Sequence, residues 1–495
     1  MTVTPEGTRR VRDDTNETLI RDAPHSGFDP LDPLDDLLSV VGISRAESGA
    51  SVSFDGQDPI LPSVHRLGSC IGVPLMAGAV AAVAFHRHRR GPPQDLHLDL
   101  RQAVHTINPG AFWHPTLNEE PAPHPLVFDN PFLVTPYRTA DDRWVVAAAV
   151  YPHLAAKWCR FLDVPPDTGR VAEVIATWDA FELEEVASAL GLPICVVRTP
   201  AEWRAHEQGA LLAGLPVIGL ERIGDAPPRD FGASERPFDG VRVLSFTHAV
   251  AGPAVGRTLA EHGADVLGAT RPNDYEHEHI YAEANVGSRS AYVDLDIGLG
   301  KERAKELLTG ADVVVNNHRL GSLERRGLDP GELADRYPGI VHVSVSCYGA
   351  IGPWAGRGGF DMNGSAVSGL MTVEGSPDEP RFPPTFLIND YVTGYMGAVG
   401  AMAALVKRAT EGGSWHVTVS LTSTAMWCGS LGLVDPTLAG SDDDHTLRDP
   451  VAYDASSPFG DVHMLAPPVR FSRTQPAWPD PILVPRGSSR TKWRT

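Results

Sequence analysis

Between Phe238 and Arg271 the hydrophobic pattern changes period and changes back. Val241-Arg242-Val243-Leu244-Ser245-Phe246 is an apolar, β-rich run, and Ala251-Gly252-Pro253 reads as a turn. A helical pattern follows, then a second turn at His262-Gly263 and another apolar run, Ala264-Asp265-Val266-Leu267. Strand, turn, helix and strand in that order predict a βαβ unit. The turn has no G-x-G-x-x-G spacing to bring backbone against a pyrophosphate, so the sheet type is expected without the usual NAD site. Further on, Ala311–Arg319 reads as a buried strand ending in polar residues, and Ile340–Ser346 as another strand.

Upstream the pattern is mixed. Asn130–Ala148 reads as two strands joined at Ala140-Asp141-Asp142. Helical patterns follow around Tyr151–Leu162 and Trp178–Leu190, and Gly191–Val197 is a short strand. Thr199-Pro200-Ala201-Glu202 carries the N-cap threonine, first-turn proline and early acid of a helix start. A link rich in Pro, Gly and Arg, Asp225–Pro237, separates this α+β segment from the βαβ unit. After Asp442 the chain is rich in Pro and Ser, with short apolar runs such as Val462–Leu465. It is expected to wrap over the other domains as an extended segment.

One pattern occurs twice. AVAAVAFHRHRRGPPQDLHLDLRQAV, from Ala79, resembles AVGAMAALVKRATEGGSWHVTVSLTSTAM, from Ala398. Each reads as a small-residue helix with a basic end, a Gly-containing turn and an alternating strand. Small side chains let a helix lie close to a sheet, and basic residues suit its C-terminus. The copies lie too far apart for a solenoid, whose periods reach about 50 residues. Duplication followed by truncation is the expectation. The longest apolar stretch, Ile71–Phe85, is too short and too rich in Ala and Gly for a membrane span and is predicted as a buried core helix.

Composition narrows the function classes. A length of 495 residues suggests roughly two to four domains. A net charge of −20 argues against a nucleic-acid or anionic-membrane partner. Cys70, Cys159, Cys195, Cys347 and Cys428 show no C-x-x-C or metal spacing. They read as reduced thiols of a cytoplasmic protein, and no metal is expected. The polar start, Met1–Gly27, lacks the apolar core of a signal peptide, and residues 1–29 are expected to be disordered. Asn317 and Ser346 stand near the carboxyl ends of predicted strands, where α/β sheets bind ligands. Each is read either as a ligand contact or as a cap.

Six segments then occur in series from Gly240 to Leu405: GVRVLSFTHAVAGP, GADVLGATRP, NVGSRSAYVDL, ADVVVNNHRLGSLERRGL, VSVSCYGAIGPWAGRGGFD and NDYVTGYMGAVGAMAAL. The series resembles the family III CoA-transferases, formyl-CoA and carnitine CoA-transferases among them, with α-methylacyl-CoA racemases as relatives. The resemblance implies an α/β fold with a Rossmann-like, CoA-binding large domain at 236–435 and a smaller α+β domain at 111–235. A partial, degenerate copy of the large domain would occupy 30–110, and an extended C-terminal segment 436–495. The chain would then begin inside one copy and finish inside another, unlike the family order of large, small and large domain. Acyl-CoA and a carboxylic acid are implied as substrates, with coenzyme A entering as acyl-CoA. The family's interlocked homodimer is implied too, unless the fused copies supply both halves of it in one chain.

By the same resemblance the catalytic residue is Asp390, in Asn389-Asp390-Tyr391. A carboxylate is ionised near neutral pH without a partner base and can attack a thioester. Read from the residues alone, Asp390 is rather an N-cap of the Ala-rich helix that follows; the resemblance turns the reading to catalysis. Aligning Ala79 with Ala398 sets Ile71 opposite Asp390, so the first copy would be catalytically dead. The resemblance places His248 and Ala249 near the thioester end, Arg271 on a CoA phosphate, Asn317 and His318 along the CoA moiety, and Arg325 as a basic CoA contact. Val250 stands where formyl-CoA transferase is polar, which disfavours an oxalate-like acceptor. In NVGSRSAYVDL the family's basic residues are partly replaced, by Val286 and Ser288, leaving Arg289, which implies either weaker CoA affinity or a shift to other contacts. The racemase relatives carry His before Asp in a GHD segment, whereas this chain has Gly359-Phe360-Asp361. Phenylalanine cannot carry a proton, so two-base racemisation is disfavoured. Asp361 is read as a catalytic group orienting the acyl moiety or as a turn cap. The expected function is CoA transfer from an acyl-CoA to a carboxylic acid through an aspartyl-CoA thioester. The alternatives are an acyl-CoA racemase or isomerase, and a catalytically silent CoA-binding subunit.

Overall fold

The computed structural model describes residues 27–49, 51–121 and 130–494; of the lead expected at 1–29, residues 1–26 lie outside the described residues. Seven strands make the main sheet: β1 (Gly219–Gly224), β2 (Arg242–Phe246), β3 (Asp265–Thr270), β4 (Arg289–Tyr292), β5 (Val313–Asn316), β6 (Val341–Ser346) and β7 (Ser414–Ser420). Their spatial order is β4-β3-β2-β5-β6-β7-β1. All neighbours are parallel except β1, which lies antiparallel against β7. Val313-Val314-Val315-Asn316 is buried on both faces, as a central parallel strand requires. From β2 the chain steps outward to β3 and β4, then returns to lay β5 on the other side of β2. The order therefore reverses between β2 and β5, and a crevice opens there at the carboxyl ends of the strands.

Four helices position the site: α1 (Leu67–His88), α2 (Ala251–Ala260), α3 (Asp361–Ser368) and α4 (Asn389–Thr410). The expected turn at Ala251-Gly252-Pro253 is instead the first turn of α2. Pro253 is tolerated there because the first amides of a helix have no intrahelical acceptor. The reversal comes earlier, at Thr247–Val250, where Ala249 takes φ 57°. Close packing of α2 on α4 depends on Gly394, where a Cβ would approach Ala251 O to 2.8 Å.

α1 is longer than its apolar run suggests. It has the length and hydropathy (1.9) of a membrane span, yet that whole window is buried inside the protein. It packs against α4, and a helix apolar all round is a core helix here. The repeat extends beyond the two helices. α1 leads to strand Leu96–Asp99, flanked by the parallel strand Val52–Asp55 and the antiparallel Arg470–Phe471. α4 leads to β7, flanked in the same senses by β6 and β1.

Between the copies, strands Pro136–Arg138, Trp144–Ala147 and Ile194–Val196 form a small antiparallel sheet. It packs with helices Pro152–Leu162, Thr168–Ile175 and Ala180–Ala189 around Phe132, Trp158 and Leu183. The capping box at Thr199 and Glu202 is formed. The structure draws this unit tighter than 111–235, because β1 pairs with β7 of the main sheet. Thr116–Leu117 likewise joins a hairpin formed by Ala452–Ser457 and Gly460–Leu465. Backbone pairing of edge strands leaves little trace in side-chain pattern, which is why these boundaries move.

Candidate active site

The first amides of α4 have no partners within the helix. Asp361, at the start of α3, supplies them. Its Oδ2 accepts the N–H of Asn389 and of Asp390 at 2.7 Å each, and its Oδ1 accepts that of Ile388 at 3.3 Å. Asn389 Nδ2 donates back to Asp361 O at 2.9 Å and to Ser365 Oγ at 2.9 Å. Asp361 is 1% exposed. The cap of α4 is therefore Asp361, and the Asp390 carboxyl accepts no hydrogen bond among the described residues. Burial, and then the negative charge of Asp361, raise Asp390 well above the usual carboxylate range. Burial raises Asp361 to about 6, with the three amides pulling the other way. Because those amides stabilise the Asp361 anion, a proton held by the pair resides on Asp390.

The first copy carries the same cap without the second carboxyl. Asp58 accepts the N–H of Gly68 and Ser69 at 2.8 Å each. Matching the last capped amide, the strand ends Asp99 and Ser420, and the helix starts Leu100 and Leu421 pairs Ser69 with Asp390. That corrects the alignment to Ile71, which slipped because an Ala-rich helix matches itself at several shifts. Ser69 Oγ donates to Asp58 Oδ2 at 2.7 Å, so the position is neutral and satisfied.

A cleft of about 490 Å³ opens at the carboxyl ends of β2, β3 and β5, at the point where strand order reverses. A cavity of about 60 Å³ adjoins it through Ala269, Arg271, Asp274 and His318. Of the residues assigned to CoA, His248, Arg271 and His318 line the cleft. Asn317 and Ala249 lie behind it, in and around the Thr247–Val250 reversal. Asn317 Oδ1 accepts the His248 N–H at 3.1 Å, and its Nδ2 donates to His248 O at 2.7 Å. A Cβ at Gly252 would come within 2.7 Å of Asn317 Cγ, so this clamp needs glycine there. Ser346 Oγ accepts the Gly349 N–H at 3.1 Å, a turn cap. Arg325 is exposed and is not among the lining residues of either cavity.

The guanidinium of Arg271 is already paired, with Asp274 at 2.8 Å and Asp296 at 3.2 Å. Arg289 is held by Asp265 at 2.8 Å. His248 and His318 lie 5.1 Å apart, ring to ring. Burial lowers each of them to about 4, so both are neutral near pH 7.

Three residues of the site gave no sequence signal. Tyr151, from the small unit, places its hydroxyl 2.6 Å from His248 Nδ1. Burial pushes this phenol far up, helped by the charges of Glu276, Asp390 and Asp274. The hydroxyl therefore donates, His248 Nδ1 accepts, and the His248 proton is assigned to Nε2. Tyr151 also packs on Phe360, the residue before Asp361, with ring centroids 6.1 Å apart. Glu276 Oε2 accepts the Ala249 N–H at 2.9 Å. Arg486, from the C-terminal segment, lines the cleft. All three are brought in from distant segments, which local periodicity does not report.

The description "CoA-transferase family III" belongs to a family model that matches residues 23–215 and 238–453. The acetyl-coenzyme A transferase nodX of Hypoxylon pulicicidum is 31% identical over 299 residues, covering 57% of this chain and 49% of that protein. Succinyl-CoA:glutarate CoA-transferase of Mus musculus is 30% identical over 227 residues, covering 43% of this chain and 52% of that protein. The chain thus spans about half the length of the curated relatives it matches. Among solved structures, a CaiB/BaiF family protein from Brucella suis is 26% identical with a TM-score of 0.37, covering 46% of this chain and 65% of that one.

Proposed function

Because this chain belongs to CoA-transferase family III, we propose that it moves CoA from an acyl-CoA to a carboxylic acid, with Asp390 as the covalent carrier. The observation that carries this reading is the division of labour at α4. Asp361 caps the helix, which leaves the Asp390 carboxyl without hydrogen-bond partners among the described residues.

In this reading the ionised Asp390 attacks the thioester carbonyl and expels the CoA thiolate, giving a mixed anhydride. The thiolate then attacks the aspartyl carbonyl, releasing the first acid and leaving CoA on Asp390. A second acid reverses the two steps and departs as its CoA ester. Water is never the acceptor, so the thioester's free energy is retained. Asp361 is a positioning residue, fixing the backbone of Asp390 through hydrogen bonds to consecutive amides. His248 Nε2–H, its tautomer set by Tyr151, is a neutral donor at the cleft wall, suited to a developing oxyanion. Phe360 stands where a two-base racemase needs a proton carrier, which favours transfer over racemisation. A homodimer belongs to the same proposal and is measured by light scattering.

The test is intact mass after incubation with a panel of acyl-CoAs and trapping with hydroxylamine. A CoA-sized adduct mapped to Asp390 and absent in Asp390→Ala supports the reading and identifies the donor. CoA binding without an adduct from any donor points to a silent binding subunit.

A further inference from the structure

The C-terminal segment beyond residue 453 lies outside both stretches matched by the family model, yet it reaches the cleft. Past Pro485 it runs antiparallel along the edge of β4. Ser488 bridges to Ala291, the Ser489 N–H donates to Ser290 O at 2.7 Å, and the Gly487 N–H donates to Ser290 Oγ at 3.0 Å. Gly487 has φ 72°, and a Cβ there would come within 2.2 Å of the Tyr292 ring, so only glycine lets the segment lie this close. In an antiparallel pair, residues upstream on one strand sit beyond the carboxyl end of the other. Arg486 is thereby delivered to the edge of the sheet where the cleft opens.

Its guanidinium differs from those around it. Arg271 pairs with Asp274 and Asp296, Arg326 with Asp296, and Arg289 with Asp265. Arg486 donates from Nη1 to the Asp274 carbonyl at 2.8 Å and from Nη2 to Thr270 Oγ1 at 2.7 Å. Both acceptors are neutral, and no carboxylate among the described residues pairs with it. Of the five N–H donors that a guanidinium carries, three are left for a ligand. Two hydrogen bonds already orient the fork, which lowers the entropy cost of further bonds. On a cleft wall that also carries Asp274 and Glu276, a held guanidinium with no carboxylate partner and with donors to spare is the group suited to an anion.

We propose that Arg486 binds a phosphate of the nucleotide portion of acyl-CoA, so that the C-terminal segment completes the substrate site. This rests on the transferase reading above. Arg486 is anchored at the end of β3, toward one side of the sheet, whereas α4 packs on β6 and β7 on the other. The thioester must lie at Asp390, so the far end of the cleft takes the phosphates.

The experiment is calorimetric titration of CoA, dephospho-CoA and pantetheine into the full chain and its Arg486→Gln and Arg486→Lys variants. Arg486→Gln is expected to weaken CoA about tenfold or more, to leave pantetheine unchanged, and to be partly rescued in Arg486→Lys. A loss that persists with dephospho-CoA assigns the pyrophosphate, and one confined to CoA assigns the 3′-phosphate; both support the proposal. Equal CoA affinity in wild type and Arg486→Gln overturns it and leaves the transferase reading standing. An equal loss for pantetheine also overturns it, because a structural role would act on every ligand. No CoA binding by the wild type overturns both.

Discussion

In both copies of the repeat an aspartate outside a long apolar helix caps that helix, and the helix feeds a strand with one parallel and one antiparallel neighbour. Asp58, α1 and Leu96–Asp99 match Asp361, α4 and β7. What differs is one side chain and one neighbourhood. Ser69 donates a hydrogen bond to its cap, whereas Asp390 sets a second carboxyl beside the first. The strand of the first copy belongs to a three-stranded sheet; β7 belongs to a sheet of seven with a reversal in strand order. The shared parts are therefore a scaffold that any buried helix N-terminus needs. What the second copy adds is an extra carboxyl with no hydrogen-bond partner among the described residues, in the domain whose sheet carries the strand reversal; the proposed chemistry rests on that addition.

The largest effect that sharpens this comparison is expected from Asp390→Asn. With Asp390 as the proposed carrier, its loss should reduce CoA transfer about a thousandfold or more, while Ser69→Ala leaves turnover nearly unchanged; steady-state kinetics measures both. The same Asp390→Asn change removes a carboxyl whose ionisation beside Asp361 is unfavourable. It is expected to raise Tm by about a few degrees at pH 7, read by calorimetry.

Exporting the carboxyl is the converse. Ser69→Asp puts a second acid against Asp58, a buried group that burial already pushes up. Tm is expected to fall by about several degrees at pH 7 and less near pH 4.5. No CoA adduct is expected at that position, because the first copy's strand lies in a three-stranded sheet, apart from the strand reversal at which the cleft opens. An adduct there would break the comparison.

Removing the caps separates their roles further. Asp58→Asn and Asp361→Asn are each expected to cost about 1–2 kcal/mol of stability, measured by denaturant unfolding. Only Asp361→Asn is expected to lower turnover, by about tenfold, since only that cap holds the proposed nucleophile in place.

Titration follows from the same pair. Folding raises both carboxyls, Asp361 to about 6 and Asp390 well above the usual carboxylate range, and the pair's proton resides on Asp390. A raised carboxyl contributes stability that is present below its unfolded value, about pH 3.8 for Asp390, and is lost as pH rises through its folded one. Activity runs the opposite way, because Asp390 attacks only when ionised. Tm should therefore fall across the range in which turnover rises, and Asp390→Asn should flatten the Tm profile. The smallest effect belongs to Tyr151→Phe, which frees His248 Nδ1. It is expected to lower kcat about three- to tenfold with little change in CoA affinity.

Much of the main sheet was legible because parallel strands buried on both faces must be continuous apolar runs; Val241–Phe246 and Ala311–Asn316 announce β2 and β5 in that way. The polar residues expected at the strand ends, Asn317 and Ser346, make a clamp on the His248 backbone and a turn cap. Asp390 and Asp361 were visible as residues, but each had two readings, catalysis or capping. Hydrogen bonds to consecutive amides separate those readings, and they join segments that are distant in sequence. The register of the repeat also escaped, since Ala and Gly carry too little shape to fix a helix alignment.

By itself the sequence determined the βαβ rhythm, the repeated helix–strand unit and the supply of candidate carboxylates, because periodicity and side-chain chemistry are local properties. Tertiary structure alone decided which aspartate caps and which stays uncapped. It alone brought Tyr151 from the small unit onto His248, and Arg486 from the C-terminal segment to the end of β3. The reason is that a site at a strand reversal is assembled from chain segments whose only relation is the sheet that gathers them.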